Sequence, residues 1–263
     1  MTAAESHSPD SGERGRPCGA WRSGRRRGRG APPLGLVLLA VGGLFFLAPA
    51  RVSGEDATGI RTLYLVRHGV YDEDDVRDPE VGKALIPDGV RQVRLTGARL
   101  AKMSAHIDAV YTSPMTRARQ TAEIIGQALG GLKPRLASDL KECTPPTTRE
   151  DVMARQSPGE PDSCRQVLER AWARYIRPSP HRDSSEVLVC HGNVIRYFTS
   201  RALGMDPRGW LNMTIANCSI TVIEVRPDGH TRLVSFDDVG HLPPALRVYP
   251  AYEWDPGPRP RGR

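Results

Sequence analysis

The sequence has no C-x-x-C pair. Its five cysteines, Cys18, Cys143, Cys164, Cys190 and Cys218, lie far apart, which removes the ligand spacing of structural zinc. Five is an odd number; two disulfides at most can form, none is demanded, and the compartment stays open. No internal repeat is visible, which excludes solenoids and propellers. No nucleic-acid recognition motif accompanies the basic residues. Asp72-Glu73-Asp74-Asp75 lacks the spaced ligands and glycine of a calcium loop and reads as a solvated loop. If that run rims a pocket, it would favour basic peptides. Only one long charge-free run occurs, Ala31 to Ala50, so a multi-span membrane protein is excluded. The remaining composition, 39% hydrophobic and 25% charged over 263 residues, is that of a globular domain with appendages.

The net charge of +7 is unevenly spread. Residues 1–30 hold seven arginines against Glu5, Asp10 and Glu13, so more than half of it sits in a basic tail. The apolar stretch 31–50 comes next. It fits a cleaved export signal, with Ala48-Pro49-Ala50 as the small-residue site, or an uncleaved single membrane anchor with the arginines on the cytoplasmic side. A buried core helix fits less well, because no amphipathic period runs through it. Either membrane reading makes the chain exported, anchored in a membrane, or placed across an organelle's inner membrane. Residues 51–60 are polar and read as a linker, 61–240 as the folded domain, and 241–263 as a C-terminal tail.

Within the domain, Leu63-Tyr64-Leu65-Val66 is a buried strand ending at Arg67-His68-Gly69. Residues 87–103 repeat apolar residues at helical spacing behind Pro87. Ala109-Val110-Tyr111 is a second strand. Ser113 and Pro114 look like the cap and first turn of the next helix. Residues 133–140 have strand character, 143–162 read as a long loop, and 163–176 as a helix. Residues 186–190 form another strand, ending at His191-Gly192-Asn193, and 194–203 a helix. Pro227-Asp228-Gly229 turns a hairpin between 218–225 and 231–236. Strands alternating with helices predict an α/β fold, a three-layer α/β/α sandwich with a mostly parallel central sheet.

In such folds, sites gather at the carboxyl ends of strands. His68 and His191 each come directly after a strand, with Arg67 beside the first and Arg117 after Ser113-Pro114. Guanidinium forks grip phosphate oxygens, and helix amino-termini point free N–H groups at anions. A neutral histidine can attack phosphorus, and a second can stabilise charge on the equatorial oxygens. Strand alternation turns Cys190 away from this pocket, so it reads as a core residue, like Trp172 and Trp210.

L-x-R-H-G after the first strand, S-P-M-x-R-A-x-Q-T-A at the second and V-x-C-H-G-N after a late one stand in order over roughly residues 62–236. Together they resemble the histidine phosphatase superfamily, the phosphoglycerate mutase-like family. C-H-G-N-V-I-R-Y, R-A-L-G-M-D-P-R-G-W-L, S-I-T and G-H-L-P-P are further similar to its branch of mitochondrial, membrane-anchored Ser/Thr protein phosphatases. The resemblance implies a phosphoglycerate mutase-like fold and a phosphomonoester hydrolase without metal or other cofactor. His68 would be the nucleophile, Glu142 in D-L-K-E-C the proton donor, and His191 a catalytic and phosphate-binding residue. Arg67, Arg117, Gly69 and Asn193 would complete the phosphate pocket. The implied substrate is a phosphoprotein at Ser or Thr. Phosphatases of small metabolites and a weakly catalytic phosphate-binding module are the rival readings. A membrane partner through 31–50 and self-association are compatible; nucleic acid is not expected. Val70-Tyr71 stand where the family often carries a hydroxyl residue, and only a modest stretch separates Arg117 from His191. Both features count against a sugar-phosphate mutase.

Overall fold

The structure, a computed structural model, describes residues 58–104 and 106–249. The basic tail, the apolar stretch 31–50 and residues 51–57 of the expected linker lie outside the described residues, as do residues 250–263. Among the described residues no helix is long and apolar enough to cross a membrane.

Six strands form one sheet: β1 (Arg61–Arg67), β2 (Ala109–Thr112), β3 (Arg135–Leu136), β4 (Ser184–Cys190), β5 (Ile220–Val225) and β6 (Thr231–Asp238). Their order is β3-β2-β4-β1-β5-β6. The first four strands in that order run parallel, and the β5–β6 hairpin closes the sheet antiparallel. The helices are α1 (Pro87–Met103), α2 (Thr116–Ala128), the single turn α3 (Glu150–Met153), α4 (Glu160–Tyr175) and α5 (Gly192–Ala202).

Strand alternation divides the apolar residues between two cores. Leu63 and Leu65 of β1 and Leu188 and Cys190 of β4 pack with Leu168, Ala171 and Tyr175 of α4 and Val194 and Phe198 of α5. Tyr64, Val66, Val187 and Val189 face the opposite way, onto Val93 and Leu100 of α1 and Ala118, Ala122 and Ile125 of α2. The central strands β1 and β4 are buried on both faces over their apolar residues, which is why they read as continuous apolar runs, whereas of the edge strands β3 is exposed and β6 partly so. This is the expected three-layer sandwich. Arg61 and Glu186 form a buried ion pair at 2.8 Å across β1 and β4.

α1 has the bounds its pattern predicts, with Pro87 in its first turn. Its buried face carries Gly89, Gln92, Val93, Thr96, Gly97 and Leu100. Four expectations change. α2 starts at Thr116 with Met115 in extended backbone at its cap; the Ser113 hydroxyl accepts from Met115 N at 3.3 Å, ahead of the helix, and also lies 2.8 Å from His191 Nε2. The strand expected over 133–140 shortens to β3, followed by a 3-10 turn at Ser138–Leu140. The loop 143–162 contains α3 and the start of α4, which Pro161 opens. Cys143 and Cys164, whose spacing demands no pairing, are joined by a disulfide.

Residues 241–249, expected within a tail, pack on the domain. A 3-10 turn spans Pro244–Leu246, and Leu242 and Leu246 are buried. Gln92 Nε2 donates to the Leu246 carbonyl at 2.7 Å, and Asn217 N donates to that of Val248 at 2.9 Å. The acidic run caps a closed loop. Asp72, Glu73 and Asp74 are exposed, whereas Asp75 accepts from Arg77 and from the Lys83 backbone N–H at 2.8 Å.

Candidate active site

The carboxyl ends of β1, β2 and β4 meet at one place. β1 delivers Arg67 and His68, the turn after β2 delivers Ser113 and the amino end of α2 Arg117, and β4 delivers His191 at the cap of α5. The loop before β5 holds the end of β1: Cys218 N donates to the Arg67 carbonyl at 3.1 Å and Asn217 Nδ2 to the His68 carbonyl at 3.0 Å.

His68 is buried, and its two ring nitrogens have different partners. Nδ1 lies 2.9 Å from the Gly69 carbonyl, which can only accept, so the ring proton belongs on Nδ1. Nε2 is left with its lone pair and accepts from Arg117 Nε at 3.1 Å. Burial, His191, Arg117 and Arg67 together hold this imidazole well below the ordinary histidine range. His68 is therefore neutral, with its lone pair on Nε2.

The His191 ring lies 5.0 Å from that of His68. Its Nε2 is 2.8 Å from Ser113 Oγ and its Nδ1 is 3.4 Å from Arg117 Nη2. Burial and the two arginines hold it neutral as well. Arg117 thus spans both imidazoles, and its guanidinium carbon lies 4.6 Å from the centre of the Tyr71 ring. Arg67 points one nitrogen at the Ile215 carbonyl.

Glu142 comes just after the 3-10 turn and is half-buried beside α5, with Oε2 fully buried. Its Oε1 accepts from the Asn193 backbone N–H at 3.4 Å. Burial pushes this carboxyl above the ordinary range, against the pull of Arg67 and Arg117. Glu142 Oε2, Arg117 Nη1 and Arg67 Nε are all buried without a hydrogen-bond partner. Buried polar groups are rarely left so. Two cationic donors and one carboxyl oxygen gathered beside a histidine lone pair match a bound phosphoryl group with an adjacent proton donor.

Two expected phosphate ligands have other duties in this geometry. The Gly69 N–H donates to Thr121 Oγ1 at 3.1 Å. The Asn193 side chain donates from Nδ2 to the Cys143 carbonyl at 3.0 Å and accepts from Arg196 Nη1 at 3.1 Å. Asn193 therefore braces the Glu142 segment. Sequence reasoning assigns Ser113 to a helix cap, although its place directly after a strand is a usable signal of a site residue. Tyr71 enters the sequence argument only as a missing hydroxyl; here it walls the pocket edge-on to His68, 5.2 Å between ring centres. Cys190 is fully buried in the α4–α5 core, as alternation requires.

A four-strand parallel sheet with an antiparallel hairpin edge, carrying two neutral histidines and two arginines at its strand ends, defines a phosphate-handling α/β protein. The chain belongs to the histidine phosphatase superfamily (branch 1), whose family model matches residues 63–238. It is 40% identical over 193 residues to the serine/threonine-protein phosphatase Pgam5, mitochondrial, of Caenorhabditis briggsae, covering 72% of this chain and 66% of that one. It is 34% identical over 195 residues to the Homo sapiens protein of that name, again covering 72% and 66%. The chain thus spans about two thirds of the length of these relatives. Among solved structures, a phosphoglycerate mutase from Plasmodium falciparum is similar with a TM-score of 0.50 and 26% identity over 71% of this chain and 96% of that one. Bacillus stearothermophilus YhfR shares the fold with a TM-score of 0.54 and 22% identity, over 69% and 98%.

Proposed function

We propose that the chain is a phosphomonoester hydrolase working through phospho-His68, and that its substrates are phosphoproteins at Ser or Thr. The observation that carries the reaction is the Nε2 lone pair of His68 beside buried arginine nitrogens and a buried carboxyl oxygen that lack partners. The substrate class is taken from the relatives' names, serine/threonine-protein phosphatase, mitochondrial.

A phosphoryl group enters by replacing the Arg117–His68 hydrogen bond, so that the guanidinium moves its donors onto phosphate oxygens. Nε2 then attacks phosphorus in line with the leaving oxygen. The N–P bond forms, the P–O bond breaks, and the Glu142 proton passes to the departing alkoxide. His191, Arg67 and Arg117 hold the equatorial oxygens as charge moves through them. In the second step Glu142, now a carboxylate, takes a proton from water. The water oxygen attacks phosphorus, the N–P bond breaks, and inorganic phosphate leaves while Nε2 regains its lone pair.

The same reading makes 31–50 a membrane anchor or export signal of a mitochondrial protein, with the catalytic domain running from residue 61 through the packed segment 241–249. Alkaline extraction of membranes distinguishes a retained anchor from a cleaved signal.

The experiment is phosphate release from phosphoserine and phosphothreonine peptides and from p-nitrophenyl phosphate, with wild type and His68→Ala. Wild type should turn over and prefer the peptides. His68→Ala should lose turnover by about a thousandfold or more, since the covalent route has no other nucleophile. A folded wild type inert on every substrate would overturn the reading.

A further inference from the structure

Glu142 is held differently from the other groups of the site. His68, Arg117 and His191 sit at the ends of regular elements in the two cores. Glu142 sits in an irregular segment, and its carboxyl is gripped by a single 3.4 Å hydrogen bond. Its position therefore depends on its backbone. That backbone is fastened at Cys143, where the carbonyl accepts from Asn193 Nδ2 at 3.0 Å and the sulfur is bonded to Cys164 of α4. Cys164 is 4% exposed and belongs to the α4–α5 core. Before Glu142, Lys141 N donates to the Ser138 carbonyl at 3.2 Å and Leu140 is fully buried; after Cys143 the next ties are at the Pro146 carbonyl, which accepts from Trp210 Nε1 at 3.2 Å, and at Thr148 N, which donates to the Arg208 carbonyl at 3.2 Å, so the disulfide holds the downstream side of the segment.

We propose that the Cys143–Cys164 disulfide is a positioning element for the Glu142 carboxyl, and that reduction by a dithiol weakens proton donation while leaving the phosphate pocket formed. The proposal rests on Glu142 being the proton donor. Cys143 is half-buried and Cys164 buried, so a reductant meets the Cys143 sulfur. A dithiol's thiolate bonds to Cys143 Sγ, the Cys143–Cys164 bond breaks, and Cys164 leaves with the electron pair and takes a proton. The dithiol's second sulfur then closes on its first, and Cys143 leaves as a thiolate and is protonated. The dithiol is oxidised to a cyclic disulfide and two cysteines are reduced. Cys190 and Cys218 are fully buried, and burial pushes the Cys218 thiol up to about 12, so neither exchanges with the disulfide.

The test uses the full chain purified without reductant. Peptide mapping of the unreduced protein should find residues 143 and 164 cross-linked. kcat/KM is then measured on a phosphoserine peptide, whose alkoxide needs a proton, and on p-nitrophenyl phosphate, whose phenolate does not. Dithiol treatment and, separately, Cys164→Ala should each lower the first by about tenfold or more and change the second by less than about twofold. Reoxidation should restore wild type, and dithiol should add nothing in Cys164→Ala or Glu142→Gln. Free thiols at both positions, an equal loss on both substrates, or no loss would overturn the proposal. If Cys164→Ala fails to fold, dithiol-treated wild type decides alone. Should the chain turn over no substrate, the functional reading fails by itself, and hydrogen exchange decides the positioning role. Reduction should speed exchange in a peptide covering 141–149 and not in peptides covering 65–70 or 187–194; unchanged exchange over 141–149 would overturn it.

Discussion

At the scale of residues, the site is a balance of burial against charge. Burial and Arg117 both disfavour a proton on His68, whereas burial favours one on Glu142 and Arg117 opposes it. The proposed mechanism needs His68 neutral and Glu142 protonated. Activity on the phosphopeptide should rise with pH through the depressed His68 value and fall with pH through the raised Glu142 value, a bell in kcat/KM. A flat rate from about pH 4 to 9 would contradict the assignment. Arg117→Met removes a cation that repels the His68 proton, so His68 should titrate at higher pH than in wild type when its imidazole is tracked by NMR. An unchanged titration would separate Arg117 from His68. The tautomer of His68 is set by one short contact, the Gly69 carbonyl on Nδ1, and it decides which nitrogen can attack.

At the scale of elements, α1 supports the site from behind. A Cβ on Gly89 would lie 1.9 Å from the Val70 carbonyl oxygen, so this helix turn touches the backbone next to His68-Gly69. Gln92 Oε1 accepts from Val70 N at 2.9 Å and ties the same strand exit to α1. Gly89→Ala should force α1 away from Val70 and cost about 1–3 kcal/mol or more in urea unfolding. Gly209→Ala is the control, because its nearest atom, at 3.5 Å, leaves ordinary contact distance. Equal stability of the two variants would show that the close approach carries no energy. α1 was legible because its caps, bounds and buried stripe all obey one period. The start of α2 was not. Serine followed by proline signals a helix cap, but here the Ser113 hydroxyl closes a turn onto Met115 N ahead of the helix and also meets His191, a side chain distant in sequence.

At the scale of the whole molecule, the described fold continues past the last strand. Leu242 and Leu246 are buried, and the Leu246 carbonyl takes the second half of the Gln92 amide. Residues 241–249 are thereby linked through Gln92 to Val70, beside the site. Truncation after Gly240 removes both leucines, each contributing about 1.5–3 kcal/mol when buried. The truncated chain should melt on the order of 10 °C lower, by the usual proportion for a domain of this size. Calorimetry of the two lengths checks this, and equal melting would make 241–249 a tail after all.

Local pattern and motif determined a large part of this protein. The parallel strands β1, β2 and β4 are largely buried, so each reads as an apolar run, and the residues just past each run land at one end of the sheet. That placed Arg67, His68, Arg117 and His191 together, and the three ordered motifs pointed to the family. Tertiary structure decided the features that depend on contacts between distant residues. It paired Cys143 with Cys164, because the Glu142 segment crosses α4 in space but not in sequence. It gave the Gly69 N–H to Thr121 and the Asn193 amide to Cys143, partners that no motif announces. It set Tyr71 over Arg117, which no spacing announces. The physical reason is the same in each case. Periodicity reports which face of an element is buried, whereas hydrogen-bond partners and side-chain stacking are set by the packing of elements that the chain brings together only when folded.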